Sequence, residues 1–210
     1  MEKQRGVKAL SIVALVAAII GLTVAFAALS KQLTINGTAT VDSATWDIHF
    51  EDTNGNYFQN DQAVSLTATT TGSASATDTA KITGLNSIGD IKMTVTRPGD
   101  SVSYDFVIAN RGTINAKIGE GAQDFIKQEK PTCNSEISED ATLVCNNLTY
   151  TLKYKGGTRD GQNVSANDTL NAGQTETVTL KLAYDGDNLP SNDVTLDDMG
   201  ITIVYRQVNN

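Results

Sequence analysis

The chain has 210 residues, which allows one domain of ordinary size behind a targeting segment. Its 16 Lys and Arg against 24 Asp and Glu leave a formal net charge of −8, and no basic stripe gathers anywhere, so nucleic acid is excluded as a partner. Aromatic residues make up only 6% while Thr, Asn, Asp, Ser and Gly abound, a composition of short strands and polar turns, and the alternating apolar runs exclude a disordered chain.

Residues 1–29 differ from everything after them. Lys3, Arg5 and Lys8 precede an uncharged apolar run from Ala9 to Leu29, which is the pattern of an export signal. As a helix the run would measure roughly 30 Å, long enough to span a bilayer, so a cleaved signal peptide and a retained anchor are both open. Ala25 and Ala27 supply the small residues at −3 and −1 that a signal peptidase requires, and Ala28 allows cleavage one residue on; this favours cleavage. In either case the basic flank stays cytoplasmic and the bulk of the chain lies outside, secreted or at the cell surface.

Residues 30–210 are expected to form a single antiparallel β-sandwich. Leu33, Ile35, Gly37, Ala39 and Val41 alternate with Thr34, Asn36, Thr38 and Thr40, the period of a half-buried strand within residues 30–42. After Asp42-Ser43 the apolar set changes parity, to Trp46, Ile48 and Phe50, so a bulge or turn must intervene. From Glu51 to Asp90 the Thr, Ser and Ala-rich sequence predicts weak or edge strands and loops. Ile91, Met93 and Val95 then alternate, Arg97-Pro98-Gly99-Asp100 turns, and Val102, Tyr104, Phe106 and Ile108 alternate again, which predicts a hairpin. Asn110-Arg111-Gly112 turns back into Ile114, Ala116 and Ile118, and Gln123 to Lys130 suits one short helical turn ahead of Pro131.

Cys133 and Cys145 stand twelve positions apart. In an oxidising extracellular setting a local disulfide is the favoured reading, stabilising by roughly 3 kcal/mol. Leu148 to Tyr154, Val178 to Leu182 and Ile201 to Tyr205 alternate in turn, bringing the total to eight or so strands.

Catalytic chemistry has little to work with. His49 is the single histidine, and its parity opposite to Ile48 and Phe50 predicts a solvent-facing side chain. No zinc-type ligand spacing is present, and no metal, cofactor or enzymatic activity is expected. Asp185-Gly186-Asp187-Asn188 and Asp197-Asp198 offer oxygens suited to calcium but lack the spacing of a calcium loop, and they read better as turns. The sequons at Asn36, Asn147, Asn163 and Asn167 imply surface exposure only.

A basic start and long apolar segment, then Ala44-Thr45-Trp46-Asp47-Ile48, then Arg97-Pro98-Gly99-Asp100 with Phe106, Asn110 and Gly112, resembles the TasA/camelysin family of Gram-positive biofilm-matrix fibre proteins. The match spans about a third of the chain. It implies a jelly-roll-like domain, export through a dedicated signal peptidase, and extracellular filaments in which one subunit's N-terminal strand completes the next. Some members have been described as metalloproteases, but this chain offers no matching ligand set. Strand donation also makes physical sense here, because Leu33 to Val41 directly follows the candidate cleavage site and a freed alternating strand seeks a sheet edge. Pairing within its own domain is the other possibility. The partners expected are therefore further copies of the chain, other matrix or surface proteins, the signal peptidase and, before cleavage, the membrane. The contrasting expectation is a membrane-tethered monomeric domain that binds a surface ligand.

Overall fold

The computed structural model describes residues 44–76, 80–119, 126–131 and 138–208, together with Leu15, Val16 and Ile19. The chain divides into two units, Met1–Asp42 and Ser43–Asn210. In the first, Leu15, Val16 and Ile19 are helical and exposed. The cleavage positions Ala25, Ala27 and Ala28 and the strand Leu33 to Val41 lie outside the described residues, as does Cys133. Among the described residues no helix is long and apolar enough to cross a membrane.

The second unit is mostly β, with antiparallel sheets throughout. The first sheet runs β1 (Ile48–Glu51), β6 (Ser101–Asn110), β11 (Thr175–Tyr184), β9 (Leu148–Tyr154), and β3 (Ala68–Thr71) pairs with the N-terminal half of β6. The second runs β2 (Val64–Ser65), β4 (Lys81–Gly84), β5 (Ser87–Val95), β12 (Val194–Ile203), β8 (Ile126–Glu129). A small third sheet joins β10 (Thr169–Leu170), β7 (Ala116–Ile118) and β13 (Tyr205–Gln207). Period-two alternation builds the core: Tyr104, Phe106, Val178, Leu180 and Leu182 of the first sheet and Ile88, Ile91, Met93 and Ile201 of the second are all buried in one cluster. Phe50 and Phe106 meet with ring centroids 4.8 Å apart, in the range aromatic pairs prefer.

The alternating segments at Ile91 to Val95 and Val102 to Ile108 are strands as expected, but they do not form a hairpin. Strand β5 pairs with β4 and β12 while β6 pairs with β1, β3 and β11, so the turn at Arg97 to Asp100 is a corner carrying the chain from one sheet to the other. Asp100 holds that corner. Its Oδ1 accepts from the Ser73 N–H at 2.7 Å, and Oδ2 accepts from the N–H groups of Thr96 at 2.9 Å and Arg97 at 3.1 Å and from the Thr96 hydroxyl at 3.1 Å. Burial would raise this carboxyl, yet the three backbone donors outweigh it and hold it below the usual carboxylate range. Gly72 faces it with a φ of +76°, and any Cβ there would collide with the carboxylate.

Residues 126–129, expected to be helical, are a strand. Pairing with the C-terminal end of β12 supplies a full ladder, and this outweighs the helix-friendly propensity of Lys, Gln and Glu. The α-helix of the second unit is α1 (Glu139–Asn146), capped by the Ser138 hydroxyl accepting from the Ala141 N–H at 3.1 Å, with Glu139 and Asp140 in its first turn.

Candidate functional site

The edges of the two large sheets differ in how they are covered. Strand β2 is two residues long. Strand β1 is bridged on its outer side, Glu51 to Tyr57, and β9 is bridged from Lys153 to Asn163, with the Val164 N–H donating to the Leu152 carbonyl at 2.9 Å. Strand β8 is paired on one side by β12 and, among the described residues, carries no strand on the other.

Beside that edge the sandwich is open. A cleft of about 450 Å³ enters between β8 and β9, lined by Ile126, Tyr150, Leu152, Val164, Leu180 and Ile201 among others, so its floor is the apolar core itself. At one end the Tyr150 hydroxyl crosses from β9 and donates to the Glu129 carbonyl at 2.9 Å. Burial, with the Glu129 charge adding, holds the Tyr150 phenol well above its ordinary range, so it remains an O–H donor across physiological pH. Because the Glu129 carbonyl faces away from β12, alternation along the strand puts the N–H and C=O of Lys127 on the same free edge, while Ile126 and Gln128 face β12. The edge is polar at Lys127, Gln128, Glu129 and Lys130, the side chains by which exposed edges discourage indiscriminate pairing. Gly200 opposite Glu129 admits no side chain, since a Cβ would lie 2.7 Å from the Ile88 carbonyl oxygen. This keeps β12 in close register between β5 and β8.

The residues that carry chemistry elsewhere turn out to be structural. His49 is buried, not solvent-facing, because Tyr57 covers the face its parity selects, ring to ring at 4.3 Å. Its Nδ1 lies 2.7 Å from Asp47 Oδ1 and its Nε2 lies 3.1 Å from Glu51 Oε1. Glu51 in turn accepts from both Nε and Nη2 of Arg111, at 3.0 and 2.8 Å. Burial would raise the Glu51 carboxyl, but these Arg111 and His49 partners hold it below its usual range. The cluster ties β1 to the corner after β6 and presents no nucleophile. Trp46, expected to face the core with Ile48 and Phe50, is 39% exposed, since β1 begins only at Ile48. Asn110 donates to the carbonyls of Ile114 at 2.9 Å and Leu170 at 3.1 Å and accepts from the Gly112 N–H at 3.2 Å. Gly112 lies so close to the Thr45 carbonyl that a Cβ would collide with it.

Cys145 is buried on α1, with its Sγ 3.4 Å from the Pro131 carbonyl oxygen; Cys133, its expected partner, lies outside the described residues. Asp185 accepts from the Thr149 hydroxyl at 2.5 Å, and Asp198, with a φ of +53°, sits in the bulge of β12. Among the described residues no group of His, Cys, Asp and Glu is placed to hold a metal ion. Nothing in the sequence pointed to Tyr150 or β8; only the alternation at Leu148 to Tyr154 marked one wall of the cleft. Comparison with family models, curated proteins and solved structures gave no match to this chain.

Proposed function

We propose that this chain is an exported structural subunit that polymerises at the cell surface or in a biofilm matrix, each copy lending its Leu33 to Val41 strand to the cleft beside β8 of the next. The carrying observation is that, among the described residues, no strand pairs β8 on the side away from β12, where a cleft floored by Leu152, Leu180 and Ile201 opens, in a chain whose sequence places an alternating segment ahead of the domain. Strand addition there would draw affinity from the Lys127 main chain and fill the apolar floor with Leu33, Ile35 and Val41.

The position of the cleft relative to β1 supports a chain of subunits rather than a closed pair. Strands β1 and β9 form opposite edges of the first sheet, three strand spacings or about 14 Å apart. Strand β1, the first strand of the described domain, and the cleft beside β9 therefore lie at opposite edges of the first sheet, which suits head-to-tail addition. The finer architecture, a jelly-roll-like sandwich preceded by a signal helix, follows from the TasA/camelysin resemblance.

A second reading has its own support. A cleft of about 450 Å³ falls within the size range of small-molecule sites, which suits a membrane-tethered monomer that binds a surface ligand or adheres to one. Two measurements separate the readings. N-terminal sequencing of surface or secreted protein should begin within a few residues of Ala28, whereas an intact Met1 supports the tether. The Ile35→Asp variant should fail to form filaments by electron microscopy while its isolated domain melts as the parent does, because the charge enters an apolar groove only in the assembled state. Normal Ile35→Asp filaments would sink strand donation. Loss of both filaments and monomer stability would place the strand in its own domain.

A further inference from the structure

The buried ring of His49 has a carboxylate on both sides. Asp47 Oδ1 lies 2.7 Å from its Nδ1 and Glu51 Oε1 lies 3.1 Å from its Nε2. The two-pronged contact with Arg111 keeps Glu51 ionised, so both neighbours are acceptors. A neutral imidazole carries one N–H and would turn the lone pair of its other nitrogen toward a carboxylate, whereas an imidazolium donates to both. We infer that His49 is a buried imidazolium that latches β1 to the domain, and that loss of its proton as pH rises releases this strand. The latch does not depend on strand donation.

Among the described residues, the charged and titratable groups around the ring agree on its state. Asp47 and Glu51 come from β1 and the segment before it, Arg111 from the corner after β6, and Tyr57 from the loop after β1, while Ala109, opposite on β6, carries no charge. Two carboxylates against one guanidinium leave a single negative charge, which the imidazolium cancels. Tyr57 adds to this, its ring 4.3 Å from the His49 ring and so within the reach of a cation on an aromatic face. With the ring only 4% exposed, water cannot take over either role. Once the proton leaves, a carboxylate faces a lone pair at a buried site, and one partner has to move. The element least able to resist is β1, four residues long and laddered to β6 alone. Its departure uncovers β6 from Val107 to Asn110. Stability held by the charged ring is therefore present on the acid side and lost as pH rises.

His49 is the chain's one histidine, so nitrogen-labelled histidine gives magnetic resonance signals from this ring alone. In the full-length chain both ring nitrogens should carry a proton at mildly acid pH. As pH is raised, protection of the β1 amides from hydrogen exchange, corrected for the intrinsic rate, should fall roughly tenfold or more in step with loss of the ring proton, while β11 stays protected. Asp47→Asn removes one carboxylate at a half-exposed position outside the core and should bring the loss of the proton to lower pH. His49→Gln cannot titrate, and its β1 protection should not change over the same range. A ring nitrogen without a proton at mildly acid pH would overturn the latch. So would β1 protection that stays level while the proton leaves, a proton retained until the whole domain unfolds, or the same titration in Asp47→Asn and the parent. If His49→Gln does not fold, the parent and Asp47→Asn titrations decide the matter between them.

Discussion

Replacing Asp100 with alanine removes the acceptor for three backbone N–H groups at the corner between the two large sheets. Ser73, Thr96 and Arg97 lose their partner together, along with the Thr96 hydroxyl. A hydrogen bond to a charged acceptor contributes about 1.5–3 kcal/mol, and a buried donor left unmade costs about 1–3 kcal/mol. The Thr96 hydroxyl can rotate to water, and Ser73 and Arg97 are exposed enough for water to replace part of the loss. The expected destabilisation is therefore about 3–5 kcal/mol, against a total near 5–15 kcal/mol for a domain of this kind. Asp100→Asn should recover little, because its one oxygen still serves Ser73 while its amide N–H₂ faces the Thr96 and Arg97 donors. Urea melts followed by circular dichroism measure both variants. A loss below about 1 kcal/mol for Asp100→Ala would show that the corner is held by the core on either side and not by the carboxylate.

The same carboxylate makes stability depend on acid. Asp100 and Glu51 are held below their ordinary range in the fold, so the stability they contribute is in place above the unfolded carboxylate range near pH 4 and is lost as pH falls through the folded values; melting temperatures that stay level from pH 4 to pH 2 would contradict this, and Asp100→Ala should flatten the decline. The expected pairing of Cys133 with Cys145 predicts that reduction costs roughly 3 kcal/mol; two titratable thiols in protein denatured without reductant would refute the bond. Arg111→Ala should cost roughly 1–2 kcal/mol, less than a fully buried pair because the guanidinium is about half exposed, and Arg111→Lys should not restore it, since a single ammonium cannot replace the two-pronged contact with Glu51; equal stability of the Lys variant and the parent in thermal melts would count against the cluster as drawn.

Alternation in the sequence reported which side chains face inward, and at Ile91 to Val95, Val102 to Ile108, Leu148 to Tyr154 and Val178 to Leu182 the structure agrees. It carried no information on which strand neighbours which. A turn of Pro-Gly-Asp type serves a hairpin and a sheet-to-sheet corner equally well, and the difference lies in the Ser73 N–H that Asp100 captures from 27 residues away. His49 was misread for a related reason: parity assigns a face, but whether that face is covered depends on Tyr57 and Arg111, which the chain brings back from elsewhere. Helix α1 was legible and passed over, since Ser138 followed by Glu139 and Asp140 is a capping signature. Strand β8 was not, because Ile-Lys-Gln-Glu has no strand period and acquires its conformation from β12. The cleft is a property of two edges, and no local pattern encodes an edge.

Strand β1 is short, four residues against the far end of β6, and it is the first element after the N-terminal segment. Any mechanical load on that segment enters the domain through it. The first bonds to be tensed are the Thr113 N–H to the Thr45 carbonyl, at 3.0 Å, and the Arg111 and Gly112 N–H groups that share the Asp47 carbonyl, at 2.8 and 3.2 Å. Behind them stands the Glu51 to Arg111 clamp, which spans both strands where the ladder alone would peel one rung after another. Strands β6, β11 and β9, paired along most of their length, lie beyond this fuse. A pulled domain would therefore yield at β1 first, giving up the Phe50 contact with Phe106 while the long pairings of β6, β11 and β9 still hold.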